Sequence, residues 1–205
     1  MKTWIYFICG IAIACLSTGK ARADAQPLFE DNFTTLDPSL SVDTGTQVKD
    51  GKLEMAMTAG RFERYLYQVG FFTDADISLT VSSTVGDSLA NSEGGIIFWG
   101  IDSSNFYVAC VSPDGSSNIF RYTGGRWLIP ASVPASPAVH KGTGAGNLLR
   151  VVTKGNRATF YINGVQMTAI TGMPPAGGGL VGIYAQSDTV PTTWTAQDFK
   201  VLPLQ

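Results

Sequence analysis

The chain predicts an all-β domain, an antiparallel β-sandwich of jelly-roll type with two stacked sheets and little helix. Three observations lead there. Beyond residue 23 no stretch repeats its apolar residues with a helical period. Short alternating runs recur instead, at intervals of roughly eight to twelve residues, with Gly, Asp, Asn, Ser and Pro between them. Charged residues make up only 15% of the chain and glycines number 23, which suits tight turns better than helices.

The first residues stand apart from this pattern. Lys2 gives a positive start, Trp4 to Leu16 is apolar, and Ala21-Arg22-Ala23 offers a small-x-small cleavage site before Asp24. This is the layout of a secretory signal peptide over residues 1–23, too short for a comfortable transmembrane helix. An uncleaved anchor and a lipoprotein stay open as alternatives, the latter because Ala12-Ile13-Ala14-Cys15 loosely resembles a lipobox. Residues 24–205 then form a single domain, long enough to bury a core without staples. The expected location is periplasmic or secreted, with no membrane contact after cleavage.

The elements follow in order. "LFEDNF" opens the domain, and the turn-rich "TTLDPSLSVDTGT" follows it. "QVKDGKLEMAM" reads as a hairpin around Asp50-Gly51, because both residues tolerate positive φ. "ISLTVSSTV" alternates, with Ile77, Leu79 and Val81 on one face. "GGIIFWGID" and "NFYVACVS" are strands joined across Asp102-Ser103-Ser104. "NIFRYT" follows a Pro-Asp-Gly turn, and Gly124-Gly125 leads into "RWLIP". Residues 130 to 147 carry prolines and glycines and read as a surface connection. "LLRVVTKGNRATFYINGVQMTAI" supplies three strands, turning at Gly155-Asn156 and Asn163-Gly164. "GGGLVGIYAQS" and "TWTAQDFKVLPL" complete the set. Long meanders and a returning C-terminal strand favour the jelly roll.

Composition excludes several function classes. Loss of Lys2, Lys20 and Arg22 from the 14 basic residues leaves the mature chain mildly acidic against 16 carboxylates. There is no basic run, so nucleic acid is not an expected partner. With the leader removed Cys110 stands alone in an alternating strand, where it reads as a small buried residue. One histidine and one cysteine exclude a typical structural zinc site. Asp37 and Asp43 in "DPSLSVDTG" are the one suggestion of calcium, without a fixed ligand spacing. No metal or cofactor is expected.

The order of "LFEDNF", "EGGIIFWGIDSSNFYVACVSPDGSSNIFRY", "GNLLRVVTKGNRATFYINGVQM", "GGGLVGIYAQS" and "DFKVL" resembles the concanavalin A-like lectin/glucanase jelly rolls. It is most similar to the 3-keto-disaccharide hydrolase (family-16-like glycoside hydrolase) domains, over nearly all of residues 28 to 202. The resemblance implies a sandwich whose concave sheet meets carbohydrate, in binding modules and in enzymes. The chain departs from family-16 glucanases in lacking Glu-x-Asp-x-x-Glu on one strand. Asp74 and Asp76 are the one acidic i, i+2 pair in a strand context, and they read as a solvated strand entrance rather than a catalytic pair.

Sugars bind by stacking on aromatic faces and by hydrogen bonds to planar polar groups. Strict alternation puts Ile96 and Phe98 on one face, Ile97 and Trp99 on the other. It separates Phe106, Val108 and Cys110 from Tyr107, Ala109 and Val111. One face is thus expected to carry Trp99, Tyr107 and Arg121, followed by Trp127, with Glu93 and Asn105 at adjoining turns. Core packing of Trp99 and Tyr107 is the competing reading. The hairpin at Asn163-Gly164 reads as scaffold, with Phe160 and Ile162 toward the core. Three functions stay open: a carbohydrate-binding module with a glycan partner, a glycoside hydrolase acting on 3-keto-disaccharides or related glucosides, and a laminin-G-like protein-interaction module.

Overall fold

The computed structural model describes residues 26–42, 44–84 and 91–204. The signal-peptide reading over residues 1–23, the lipobox reading and Asp43 lie outside them. The described residues form fourteen strands and no α-helix, in two antiparallel sheets. The eight-stranded sheet runs β12 (Val165–Thr171), β11 (Arg157–Ile162), β10 (Asn147–Lys154), β5 (Ala75–Ser83), β14 (Thr192–Pro203), β3 (Lys52–Met57) and β2 (Thr46–Lys49), with β1 (Phe29–Asp31) paired to β14. The six-stranded sheet runs β4 (Phe62–Leu66), β13 (Leu180–Gln186), β6 (Glu93–Asp102), β7 (Asn105–Val111), β8 (Ser117–Thr123) and β9 (Arg126–Val133). This is the expected jelly-roll sandwich.

Period-two alternation builds the core. On β5 the side chains of Ile77, Leu79 and Val81 are buried between the sheets, while Asp76, Ser78, Thr80 and Ser82 point away. Each such apolar side chain contributes about 1.5–3 kcal/mol on leaving water. Trp194 of β14 joins the two layers. Its indole N–H donates to the Gln186 carbonyl of β13 at 3.0 Å. Its ring lies so close to Gly94 that a Cβ there would meet it at 2.4 Å, so β6 needs glycine at this point.

The predicted hairpins have the expected turns. Asp50-Gly51, Gly124-Gly125 and Asn163-Gly164 all hold positive φ at both residues, the type I′ geometry that matches strand twist. In the last hairpin Phe160 and Ile162 are buried in the core. Asn163 does more than turn the chain. Its Nδ2 donates to the Ala138 carbonyl at 2.8 Å and to Asn147 Oδ1 at 2.9 Å, and its Oδ1 accepts from the Leu148 N–H at 2.9 Å. It therefore fastens the connection that precedes β10, where Val139 is buried.

Two elements differ from the sequence reading. The proline-rich connection is shorter, because β9 continues to Val133. Pro130 is accommodated on this edge strand beside a register shift opposite Ile119 and Arg121, the kind of position to which proline is confined within sheets. Strand β4, with sequence FERYL, carries no alternating pattern that marks it in the sequence.

Candidate functional site

The outward face of the six-stranded sheet is unlike an ordinary solvent face. Each strand sends apolar or aromatic side chains outward: Phe62 and Leu66 from β4, Leu180 and Tyr184 from β13, Ile97 from β6, Phe106, Val108 and Cys110 from β7, Phe120 and Tyr122 from β8, Trp127 from β9. They form a second apolar cluster, separate from the core between the sheets. The sheet curls to make this possible. Strands β4 and β9 are its two edges, about 24 Å apart if the sheet were flat. Yet the Phe62 and Trp127 rings, one from each edge, lie 5.2 Å apart in an edge-to-face contact. Trp127 also packs against Phe106, Phe120, Tyr122 and Tyr184, with centroids 4.7–6.0 Å away.

The result is a trough running along the strands. One half is filled by rings. The other half is a cavity of about 730 Å³. Its ring wall is Phe62, Phe120, Trp127 and Tyr184; its polar lining includes Glu93, Asn118 and Gln186, with Arg61, Asn91, Asp188, Ser116 and Ser132 around them. The polar floor is braced from within. Asn118 Nδ2 donates to Glu93 Oε1 at 2.9 Å. Gln186 lies directly across from Glu93 in the ladder; its amide donates to the Asn91 carbonyl at 3.0 Å and its Oε1 accepts from the Tyr184 hydroxyl. Asn91 in turn donates to Asp188 at 3.3 Å.

Glu93 is the electrostatic centre of the site. It is only 4% exposed. Burial raises its carboxyl pKa from 4.5 to about 7, because a carboxylate taken from water without a cation is costly. Hydrogen bonds from Asn118 and the Cys110 thiol offset part of that rise, and the Asp114 charge adds to it. Burial likewise pushes up the neighbouring Cys110 thiol and Tyr184 hydroxyl, with Glu93 reinforcing both. Near neutral pH Cys110 and Tyr184 therefore keep their protons, and Glu93 exchanges its own. The site combines ring faces, planar amides and a carboxyl that titrates near neutrality, and it can make hydrogen bonds to hydroxyl groups beside apolar stacking.

The structure divides the residues expected here. Trp127 and Glu93 line the cavity together. Trp99 and Tyr107 do not share their face. Both are 4% exposed and belong to the core between the sheets. Tyr107 faces inward by plain alternation with Ala109 and Val111, whereas for Trp99 the reason is a β-bulge. Trp99 takes φ of 49°, and the β6–β7 register shifts after Phe98, so Phe98 and Trp99 turn inward in succession. Gly172 leaves room for the Trp99 ring. The Tyr107 hydroxyl accepts from the Met173 N–H at 3.1 Å. Arg121, on the same side as Tyr107, lies over its ring at 5.4 Å and donates toward Met173 Sδ at 3.5 Å. Asn105 sits at the far end of β7, where it binds Asp102 and Thr123.

Other expectations are placed as follows. Cys110 is fully buried. Asp76 forms a bidentate pair with Arg150 at 2.6 and 2.7 Å, and Asp74 accepts from the Gly155 N–H at 2.7 Å. Asp37 accepts from the N–H and hydroxyl of Ser39. Among the described residues no three His, Cys, Asp or Glu side chains gather as a metal site. Sequence reasoning missed Phe62, Tyr184, Gln186, Asn118, Arg61 and Asp188. The signal for two of them was present in "GIYAQS", where Tyr184 and Gln186 share a parity.

No family model matches the chain, and no curated protein matches it in sequence. Solved structures do share its fold. A carbohydrate-binding module from Bacillus subtilis superposes with a TM-score of 0.61 at 13% identity, over 82% of this chain and 94% of that one. A Bacillus subtilis protein of unknown function with a galectin-like fold gives 0.63 at 13% identity, over 86% and 95%. A Bacillus licheniformis β-glucanase gives 0.61 at 9% identity, over 86% and 98%. At these identities the likeness establishes the architecture: the chain has the jelly-roll fold found in carbohydrate-binding and glycoside hydrolase structures.

Proposed function

We propose that this chain is a secreted, periplasmic or extracellular, carbohydrate-binding module whose ligand seats in the trough of the six-stranded sheet. The observation that carries the reading is the opposition of the Phe62–Trp127–Tyr184 ring wall to the Glu93–Asn118–Gln186 floor across one cavity. A pyranose or furanose ring offers a C–H face to the first and hydroxyls to the second. The carbohydrate-binding module and the β-glucanase among its structural neighbours support the same ligand class. Secretion rests on the leader-like residues 1–23. The ligand contacts proposed are Trp127 and Glu93 with Phe62, Asn118, Tyr184 and Gln186; Trp99, Tyr107, Arg121 and Asn105 fall outside the trough. A glycan array with the mature protein tests this reading. Binding that Trp127→Ala weakens while circular dichroism stays unchanged is expected; a silent array overturns it.

Glu93 favours hydrolysis as a second reading. A carboxyl that keeps its proton near neutrality suits a general acid. Asp188, two residues beyond the end of β13, lines the same cavity and accepts from Asn91, which places a second carboxylate at the site. Turnover of glucosides or 3-keto-glucosides that Glu93→Gln abolishes would make the module an enzyme. Binding without turnover would leave it a module.

A further inference from the structure

We infer that the trough receives the terminal residue of a glycan chain and excludes internal stretches, because rings from both edges of the sheet close it at one end. The inference rests on the carbohydrate-binding reading and adds the mode of recognition.

The closure follows from where the residues lie along their strands. The cavity is lined by the first residues of β4, β6 and β8 and the last of β9 and β13: Phe62, Glu93, Asn118, Ser132 and Gln186. The opposite strand ends carry Leu66, Leu180, Phe106 and Tyr122, packed with Trp127 into the apolar cluster. Trp127 spans the trough to Phe62, and the side chains of Phe106 and Leu180 beneath are 2% and 5% exposed. A polysaccharide lying along the trough would have to pass through that packed cluster. One lying across the strands would have to climb over the β9 lip at Ile129 on one side and Arg61 on the other. Only a chain end can enter from the open side, place its last ring against the wall and let the remainder run out to solvent. The cavity is of a size typical for small ligands rather than for an extended polymer groove.

The floor adds to the same conclusion. Glu93, Asn118 and Gln186 present polar groups together on the floor of the cavity, at the strand ends away from the packed rings. A terminal residue brings free hydroxyls on several ring edges, whereas an internal residue has some of those positions taken by its linkages. The crowding of donors and acceptors on this floor matches the former.

The test is titration of the wild-type mature protein with linear gluco-, fructo- and xylo-oligosaccharides from disaccharide to octasaccharide, together with α-cyclodextrin and cyclic β-1,2-glucan as probes without ends. The expected result is binding of at least one linear series, with affinity changing less than about threefold beyond the trisaccharide, and no binding of the cyclic probes. Affinity that rises about tenfold or more with each few added residues, or binding of a cyclic probe, would overturn the inference and leave the carbohydrate-binding reading standing. Failure to bind any of these sugars, together with a silent array, would overturn both.

Discussion

Along β5 the side chains that point away from the core are Asp76, Ser78, Thr80 and Ser82; along β7 they are Phe106, Val108 and Cys110. These are the two outward faces of one sandwich, built from the same kind of strand. The first is a solvent face. Ser82 and Thr195 share a hydrogen bond at 2.7 Å, and Arg150 pairs with Asp76. The second has a core of its own, covered by the curled edges of its own sheet. A jelly roll needs only one apolar layer to hold its sheets together. The second layer therefore calls for another explanation, and the cavity beside it supplies one under the proposed function, in which the rings form the wall of the site.

The largest expected effect tests whether that outer layer is as structural as it is packed. Phe106→Ala should cost about 3–5 kcal/mol, as large as Phe98→Ala on the inner face, because both side chains are 2% exposed or less and leave a cavity the surroundings cannot fill. Urea denaturation of the two variants measures it. A loss under about 1 kcal/mol for Phe106→Ala would mean the outer cluster is loose and the contrast between the two outward faces is weaker than drawn.

The carboxyl at the edge of that layer gives the next effect. Glu93 titrates near 4.5 when unfolded and near 7 when folded. Between those values the native chain holds the proton and the unfolded chain has released it. Stability is therefore highest below pH 4.5 as far as this group is concerned, falls as pH rises toward 7, and levels off above it. The change amounts to about 3 kcal/mol. Glu93→Gln keeps an acceptor for Asn118 and removes the charge, so its stability should be flat over that window and exceed the wild type at pH 8. Chemical denaturation at a series of pH values decides. Asp114, Cys110 and Tyr184 interact with the group, Asp188 and Arg61 share its cavity, and the Gln variant isolates its contribution from theirs.

A smaller change is expected on stability, and a selective one on binding, from Trp127→Ala. Trp127 is half-buried on an edge strand, so the fold should survive. Its ring forms the wall, so glycan affinity should drop about tenfold or more, as for removal of an aromatic anchor. Trp99→Ala reverses the pattern: it should destabilise the core and leave the affinity of the remaining folded protein unchanged. Calorimetric titration of both tryptophan variants compares them directly.

How far the sequence reveals this arrangement depends on which physical rule sets each residue. Turns such as Asp50-Gly51 and Asn163-Gly164 are read directly, since few residue types accept positive φ in succession. So is β5, where one face is apolar and the other polar. Strand β7 is different. Both its faces are apolar, so alternation separates Phe106 from Tyr107 without telling which faces the other sheet. The Trp99 bulge breaks alternation at a positive-φ residue that is not itself a glycine, and Gly100 beside it is its mark in the sequence. Strand β4 hides because Glu63 and Arg64 interrupt its apolar residues. The meeting of Phe62 with Trp127 is set by the curl of six strands, a long-range property that no local pattern records. Thus the strands other than β4 are legible, the sequence points to Trp127 and Glu93, and the face that brings them together with Tyr184 and Gln186 is not written in it.

The smallest effect belongs to the polar outward face and is the control for all the others. Asp76 and Arg150 form a well-aligned pair, with the arginine stacked on Tyr161 at 5.2 Å. The Arg150 side chain is 45% exposed, so water and salt screen the attraction. Asp76→Asn should therefore cost no more than about 1 kcal/mol. That cost should shrink further in high salt, and sugar affinity should not change. Denaturation at low and high ionic strength, with a glycan titration alongside, gives both numbers. If Asp76→Asn abolished sugar binding instead, the acidic pair at the start of β5 would belong to a site on the large sheet. The rings of the trough would then be packing alone.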